Sequence, residues 1–189
     1  DVTVTRLEVD KYMIVTSSST ATRDMRWIKN NIREGAHCFV TDVTSSYAVL
    51  GLMGPKSREL LSQIVDIDVS NDKFPYMTAQ YMYLGYIRVL GLRVSYVGEL
   101  GWELYIPIES AINVYENVID KCNGIDIVHA GFFAMDSLRI EKGYRAWGTD
   151  IIDQDTPIEA GLGFAVDFSK PNFIGKNALL KQRGKIINK

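Results

Sequence analysis

Between Met77 and Pro107 the chain runs through period-two patterning at roughly 77–90, 91–97 and 102–107, with nothing longer than a turn between the segments. Neighbouring parallel strands need a crossover connection of about a dozen residues or more, so strands spaced this closely must pair antiparallel. The same signature opens the chain. Residues 2–17 alternate apolar and polar, and Val9-Asp10-Lys11 interrupts them as a hairpin turn would. Helical signals fall between the strand groups. "SSSTATRDMRWIKNNIREG" offers a Ser or Thr N-cap, a shared face of Met25, Ile28 and Ile32, and a stop at Gly35. "HCFVTDV" and "YAVLGLMG" read as two strands. Pro55 then stands where a first helical turn begins, and "KSRELLSQIV" continues the helix. "ESAINVYENVIDKC" reads as an amphipathic helix with Ile112, Tyr115, Ile119 and Cys122 on one face. "AGFFAMDSLRIEKG" reads as a helix ended by Gly143. The tail reads as a loop, a short strand and a last helix in "GKNALLKQRG". Irregular alternation with hairpin-connected strands predicts an α+β fold of antiparallel sheets flanked by helices.

Length and charge exclude several classes. A chain of 189 residues makes one sizeable domain or two small ones. Net charge is −2, and Lys and Arg are scattered without a basic stripe, which argues against a nucleic-acid partner. No apolar run reaches bilayer length, so no membrane partner is expected. Cys38 and Cys122 form no motif and read as two free thiols in a reducing compartment. "DVTVTRLEVD" is a strand pattern, not a signal peptide, and a chain opening on a strand without an initiator Met is expected to be a fragment of a longer protein.

Familiar chemical motifs are few. There is no GxGxxG, P-loop, HExxH or CxxC pattern, and "GLMGPKS" lacks the ending of a phosphate loop. His37 and His129 lie in different elements without clustered Cys or carboxylates, so no metal site is expected. Asp136 and Arg139 are helical i,i+3 neighbours and suit an ordinary ion pair. The unusual stretch is "RVSYVGELGWELYIP". Glu99 sits between two glycines and reads as a turn residue in water. Glu103 lies past the turn, in a strand. By alternation it shares a face with Tyr105 and Pro107, while Trp102, Leu104 and Ile106 take the other. Tyr96 lies across the turn and could face the same site. A carboxylate beside aromatic rings can accept paired N–H bonds from a flat, amidine-like edge such as that of a pterin. A surface Glu or an internal Arg partner fits the residues equally well.

Several segments together resemble one family. "SYVGELGWELYIP", "DSLRIEKGYRAWGTDI", "TPIEAGLGF" and "FIGKNAL" resemble the folate-binding domain of the aminomethyltransferase (glycine cleavage T-protein) family. The forms "GELGWELYIP", "RIEKGYRAWG" and "DVSNDKFPYMT" resemble its flavin-linked branch, which holds sarcosine and dimethylglycine dehydrogenases. The resemblance runs over essentially the whole chain and implies the ferredoxin-like elements of that domain. It implies tetrahydrofolate as the cofactor, with Glu103 reading the pterin, Tyr96, Leu104 and Tyr105 bordering it, and Phe164 lining the site. Asp1 takes the position of the catalytic aspartate, followed by Val2, Thr3 and Val4 as cofactor contacts. Met135 stands where T-proteins carry a folate-contacting arginine, a departure that fits the flavin-linked branch. The resemblance further implies that residues 1–189 are part of a longer domain, with a preceding segment, a C-terminal β-barrel and an FAD-bearing domain elsewhere. The implied partners are folate and a small N-methyl amine product from that flavin domain. The implied activity is formation of 5,10-methylenetetrahydrofolate, in the bacterial cytoplasm or mitochondrial matrix. The alternatives are a T-protein-type aminomethyltransferase or a non-enzymatic regulatory folate-domain protein.

Overall fold

The computed structural model describes residues 2–122 and 124–183, which fall into two compact units, Asp1–Lys142 and Gly143–Lys189. The first unit begins with β1 (Thr3–Arg6) and β2 (Tyr12–Val15), followed by α1 (Ala21–Asn30). Then come β3 (Tyr47–Met53), α2 (Ser57–Ile64), β4 (Ala79–Leu84), β5 (Ile87–Leu92) and β6 (Gly101–Pro107). Helices α3 (Ala111–Asp120) and α4 (Phe132–Glu141) close the unit. The expected N-terminal hairpin is present: Thr3 pairs with Val15 and Arg6 with Tyr12, and the Leu7 N–H donates to the Lys11 carbonyl at 2.8 Å. The second sheet has the order β3-β6-β5-β4 with every pair antiparallel. Strands β4, β5 and β6 form a meander. Gly85, at φ 60°, makes the two-residue turn between Leu84 and Ile87 that joins its first two strands.

Period-two patterning gives this sheet two faces, and each is buried differently. On one face Met82, Leu84, Val89, Trp102, Leu104 and Ile106 pack with Leu60, Leu61 and Ile64 of α2 and Val114 and Val118 of α3. Phe74 meets Trp102 edge-on, with ring centroids 6.1 Å apart. On the opposite face Leu90, Leu92 and Tyr105 form a smaller cluster. Leu7, Met13 and Val15 of the N-terminal hairpin pack on it, together with Ala79 and Val94. The hairpin continues into α1 through Asp24, whose carboxylate accepts from the hydroxyls of Thr16 and of Thr20, the latter at 2.7 Å. Burial pushes the Asp24 carboxyl up, but these bonds and Arg23 outweigh it and hold it below its ordinary value.

Besides the turn at Gly85 and Tyr86, which splits the stretch 77–90 expected as one strand, the structure departs from the sequence pattern in four places. "HCFVTDV" forms no strand: residues 36–43 are irregular. Alternation is not enough without a partner edge and a surface to pack on, and Phe39 is exposed. In α3 the buried stripe is Val114 and Val118, and Ile112 is 71% exposed and Tyr115 is exposed too. Two apolar stripes compete on this helix, and the narrower valines let α3 lie close against α2 and the sheet. The stretch Arg93–Leu100 is not a continued hairpin. Strand β5 ends at Leu92, and Arg93 is drawn toward the segment before β4. Its N–H donates to the Thr78 carbonyl at 2.9 Å. Its guanidinium donates to the Phe74 carbonyl and to Asn71 Oδ1, each at 2.6 Å.

The fourth departure lies in the second unit. The short strand expected in its loop is instead a 3₁₀ turn, Gly163–Ala165, before α5 (Lys176–Gln182). Upstream, Thr156 and Glu159 form a capping box. The Thr156 N–H and hydroxyl donate to Glu159 Oε2 at 3.1 and 2.9 Å, and the Glu159 N–H donates back to Thr156 Oγ1 at 3.3 Å. The pattern T-x-x-E was there to be read in "TPIE".

Candidate functional site

Strand β6 carries the site because its two faces have different occupants. Trp102, Leu104 and Ile106 are committed to the larger core, which turns Glu103 and Tyr105 toward the smaller cluster. Tyr105 is only 5% exposed, and its hydroxyl donates to Glu103 Oε2 at 2.7 Å. Burial raises the Tyr105 phenol well above its ordinary value, and the bond to Glu103 and the charge of that carboxylate raise it further. It therefore remains a proton donor at any physiological pH. Glu103 is half-buried, and Oε1 accepts no hydrogen bond among the described residues. A carboxylate fixed through one oxygen and open at the other can accept from a ligand's N–H edge.

The other residues implied by the resemblance are distributed as follows. Thr3 pairs with Val15, and Val15 packs on the Tyr105 cluster, so Thr3 lies on the hairpin face directed to that cluster. Val2, Thr3 and Val4 are all exposed. Asp1 lies outside the described residues. Tyr96 is half-buried in the Arg93–Leu100 connection, not on a strand facing Glu103. The side chain of Leu104 belongs to the larger core, on the face opposite Glu103. Phe164 is in the 3₁₀ turn of the second unit and is 88% exposed. Glu99 is exposed, next to Gly98 at φ 77°. Arg139 is buried, and its Nε donates to Asp136 Oδ1 at 2.6 Å, the helical ion pair its spacing suggested. Among the described residues no three His, Cys, Asp or Glu gather as a metal site would require.

A clip of two arginines was not legible in the sequence. Arg58 Nη2 and Arg93 Nη2 both donate to Asn71 Oδ1, at 2.7 and 2.6 Å, and both guanidiniums lie within 6 Å of the Trp102 ring. They fix the start of the connection that bears Tyr96, one strand away from Glu103. Nothing short of the folded 69–74 segment brings these residues together.

The first unit is an α+β domain whose antiparallel sheet buries a core on one face and presents an oriented carboxylate beside a buried tyrosine on the other. The chain belongs to the family described as the GCVT N-terminal domain, whose model matches residues 1–170. It is 42% identical over 182 residues to the 4-methylaminobutanoate oxidase (formaldehyde-forming) of Paenarthrobacter nicotinovorans, covering 96% of this chain and 22% of the relative. It is 34% identical over 187 residues to the mitochondrial dimethylglycine dehydrogenase of Homo sapiens, covering 98% of this chain and 22% of the relative. The crystal structure of glycine cleavage system aminomethyltransferase T from Bartonella henselae superposes with a TM-score of 0.80 at 27% identity, over 96% of this chain and 48% of that one. The chain thus spans about a fifth of the length of these two curated relatives. The expected fold class and the resemblance to the aminomethyltransferase and dehydrogenase group both hold. The chain is a GCVT N-terminal domain related to the dimethylglycine and sarcosine dehydrogenases and to aminomethyltransferases. No described helix is long and apolar enough to cross a membrane.

Proposed function

We propose that this chain is the tetrahydrofolate-binding, one-carbon transfer part of a flavin-linked N-methyl amine dehydrogenase, yielding 5,10-methylenetetrahydrofolate. The observation that carries the reading is the Glu103 carboxylate, held through Oε2 by Tyr105 and accepting no hydrogen bond at Oε1 among the described residues. Glu103 would accept the N–H edge of the pterin, and Tyr105 would keep that carboxylate aimed. Bound tetrahydrofolate supplies the secondary amine that takes up the one-carbon unit. The protein's own share is orientation and exclusion of water, since the acceptor amine and the one-carbon donor react once held together. Asp1 is assigned the proton-handling role at the folate amines, with Val2, Thr3 and Val4 beside it as contacts. Tyr96 remains a proposed neighbour of the ligand, and Leu104 is one through its backbone alone, since its side chain lies in the core on the opposite face. FAD belongs to a separate domain of the parent protein, which delivers the oxidised amine. The names of the oxidase and dehydrogenase relatives support this placement. A cytoplasmic or mitochondrial-matrix setting accords with the bacterial and mitochondrial relatives.

A second reading, aminomethyl transfer of the glycine cleavage type, is favoured by the superposition on aminomethyltransferase T. The two share the folate site and differ in the source of the one-carbon unit.

Titration with a reduced folate tests the site. Glu103→Ala should weaken binding about tenfold or more, the size expected for one charge-assisted contact. Glu99→Ala should leave it unchanged. Equal affinity of Glu103→Ala and the unsubstituted chain would remove the pterin assignment.

A further inference from the structure

Glu103 has two cross-strand neighbours, and they are unlike. Leu92, on β5, is 2% exposed within the cluster covered by the N-terminal hairpin. Gly51, on β3, is exposed and has no side chain. Residues paired directly across antiparallel strands project to the same face, with Cβ atoms about 4.5–5.5 Å apart. The open approach to the carboxylate is therefore over Gly51. Farther along β3, Val49 and Tyr47 continue this face opposite Tyr105 and Pro107, and Val49 is 50% exposed.

Glycine weakens a strand interior, where it brings backbone entropy and no packing. Among the described residues neither a left-handed backbone nor a rigid neighbour requires it at position 51. Its φ is not positive. A Cβ placed there meets, among the described residues beyond its chain neighbours, only the Met53 side chain, with Cε at 3.3 Å, close enough that the thioether must shift, and Cγ at 3.9 Å. That Cε is the free end of a flexible thioether and can turn aside. A strand glycine whose backbone is ordinary, and whose added Cβ would meet only the movable end of a side chain, suits a close approach by a ligand or another backbone.

We propose that Gly51 is the floor of the site. A planar heterocycle lies with its ring face on the β3 backbone at Gly51 and its apolar margin against Val49, while its N–H edge reaches Glu103 Oε1. The proposal rests on the Glu103 reading and adds the side from which the ring lies against the sheet. It also names the residue that sets how thick the bound ring can be: a side chain at 51 would stand in the volume the ring occupies.

The test compares Gly51→Ala and Gly51→Val with the unsubstituted chain and Glu103→Ala. Each is titrated with 5-formyltetrahydrofolate, an oxidation-resistant reduced folate, and its thermal unfolding is followed. Gly51→Val should keep or raise the midpoint of unfolding yet bind about tenfold or more weakly, with Gly51→Ala intermediate. Binding by Gly51→Val equal to that of the unsubstituted chain, with Glu103→Ala still impaired, overturns the floor and spares the Glu103 reading. No binding by the unsubstituted chain overturns both. A lowered midpoint in Gly51→Ala shows that packing needs the glycine, and overturns the inference by removing its premise.

Discussion

At the scale of single residues, the site turns on a tyrosine that stays protonated. The Tyr105 phenol titrates higher in the folded chain than its ordinary value of 10.0. Its contribution to stability is complete below about pH 10 and declines as pH rises from the unfolded value toward the folded one. Tyr105→Phe should therefore flatten the alkaline fall in stability, followed by denaturant unfolding between pH 9 and 11. At neutral pH it should cost about 1–2 kcal/mol through the lost bond to Glu103. An unchanged alkaline slope would show that the phenol is not buried against that carboxylate. Alternation alone placed Glu103 and Tyr105 on one face, and the glycines about Glu99 placed that residue in solvent. Gly51 was invisible for a physical reason: its meaning comes from its partner across the sheet, and register between distant strands is not written in local pattern.

At the scale of elements, the sequence was most readable where the pattern was strict and least where two patterns competed. The N-terminal hairpin followed from alternation and its break, whereas the turn at Gly85 and Tyr86 falls inside the stretch 77–90 that alternation reads as one strand. The face of α3 did not, because an apolar residue at nearly every turn of two stripes leaves the choice to the surface it meets. Ile112→Ser should shift stability by less than about 0.5 kcal/mol, whereas Val114→Ala should cost about 1–3 kcal/mol in urea unfolding. The reverse order would restore the stripe that periodicity suggested. Alternation predicts a strand over 91–97, and the structure ends it at Leu92. What ended β5 was a side chain, Arg93, whose hydrogen bonds to Phe74 and Asn71 hold the chain off β6.

For the molecule as a whole, the α+β class followed from spacing, since strands joined by turns can only pair antiparallel. The strand order β3-β6-β5-β4 did not follow, because it depends on which edge of the meander accepts β3. A ligand that binds only the folded chain stabilises it by mass action, by about 2.7 kcal/mol at a hundred times its dissociation constant. Reduced folate should raise the unfolding midpoint of the unsubstituted chain in this concentration-dependent way. Glu103→Ala should lose most of the rise at the same concentration, and an equal rise in both would place the ligand elsewhere.

Strand β3 also carries a colloidal cost. It pairs with β6 on one side and, among the described strands, with none on the other. From Tyr47 to Met53 it contains no charge and no proline, and Tyr47, Val49 and Gly51 face outward. An uncharged, unpaired edge of this length is the kind of surface on which strands from other molecules nucleate. A strand kept bare for a flat ligand lacks the lysines that usually blunt such an edge, so the openness that suits it to binding also leaves it open to aggregation.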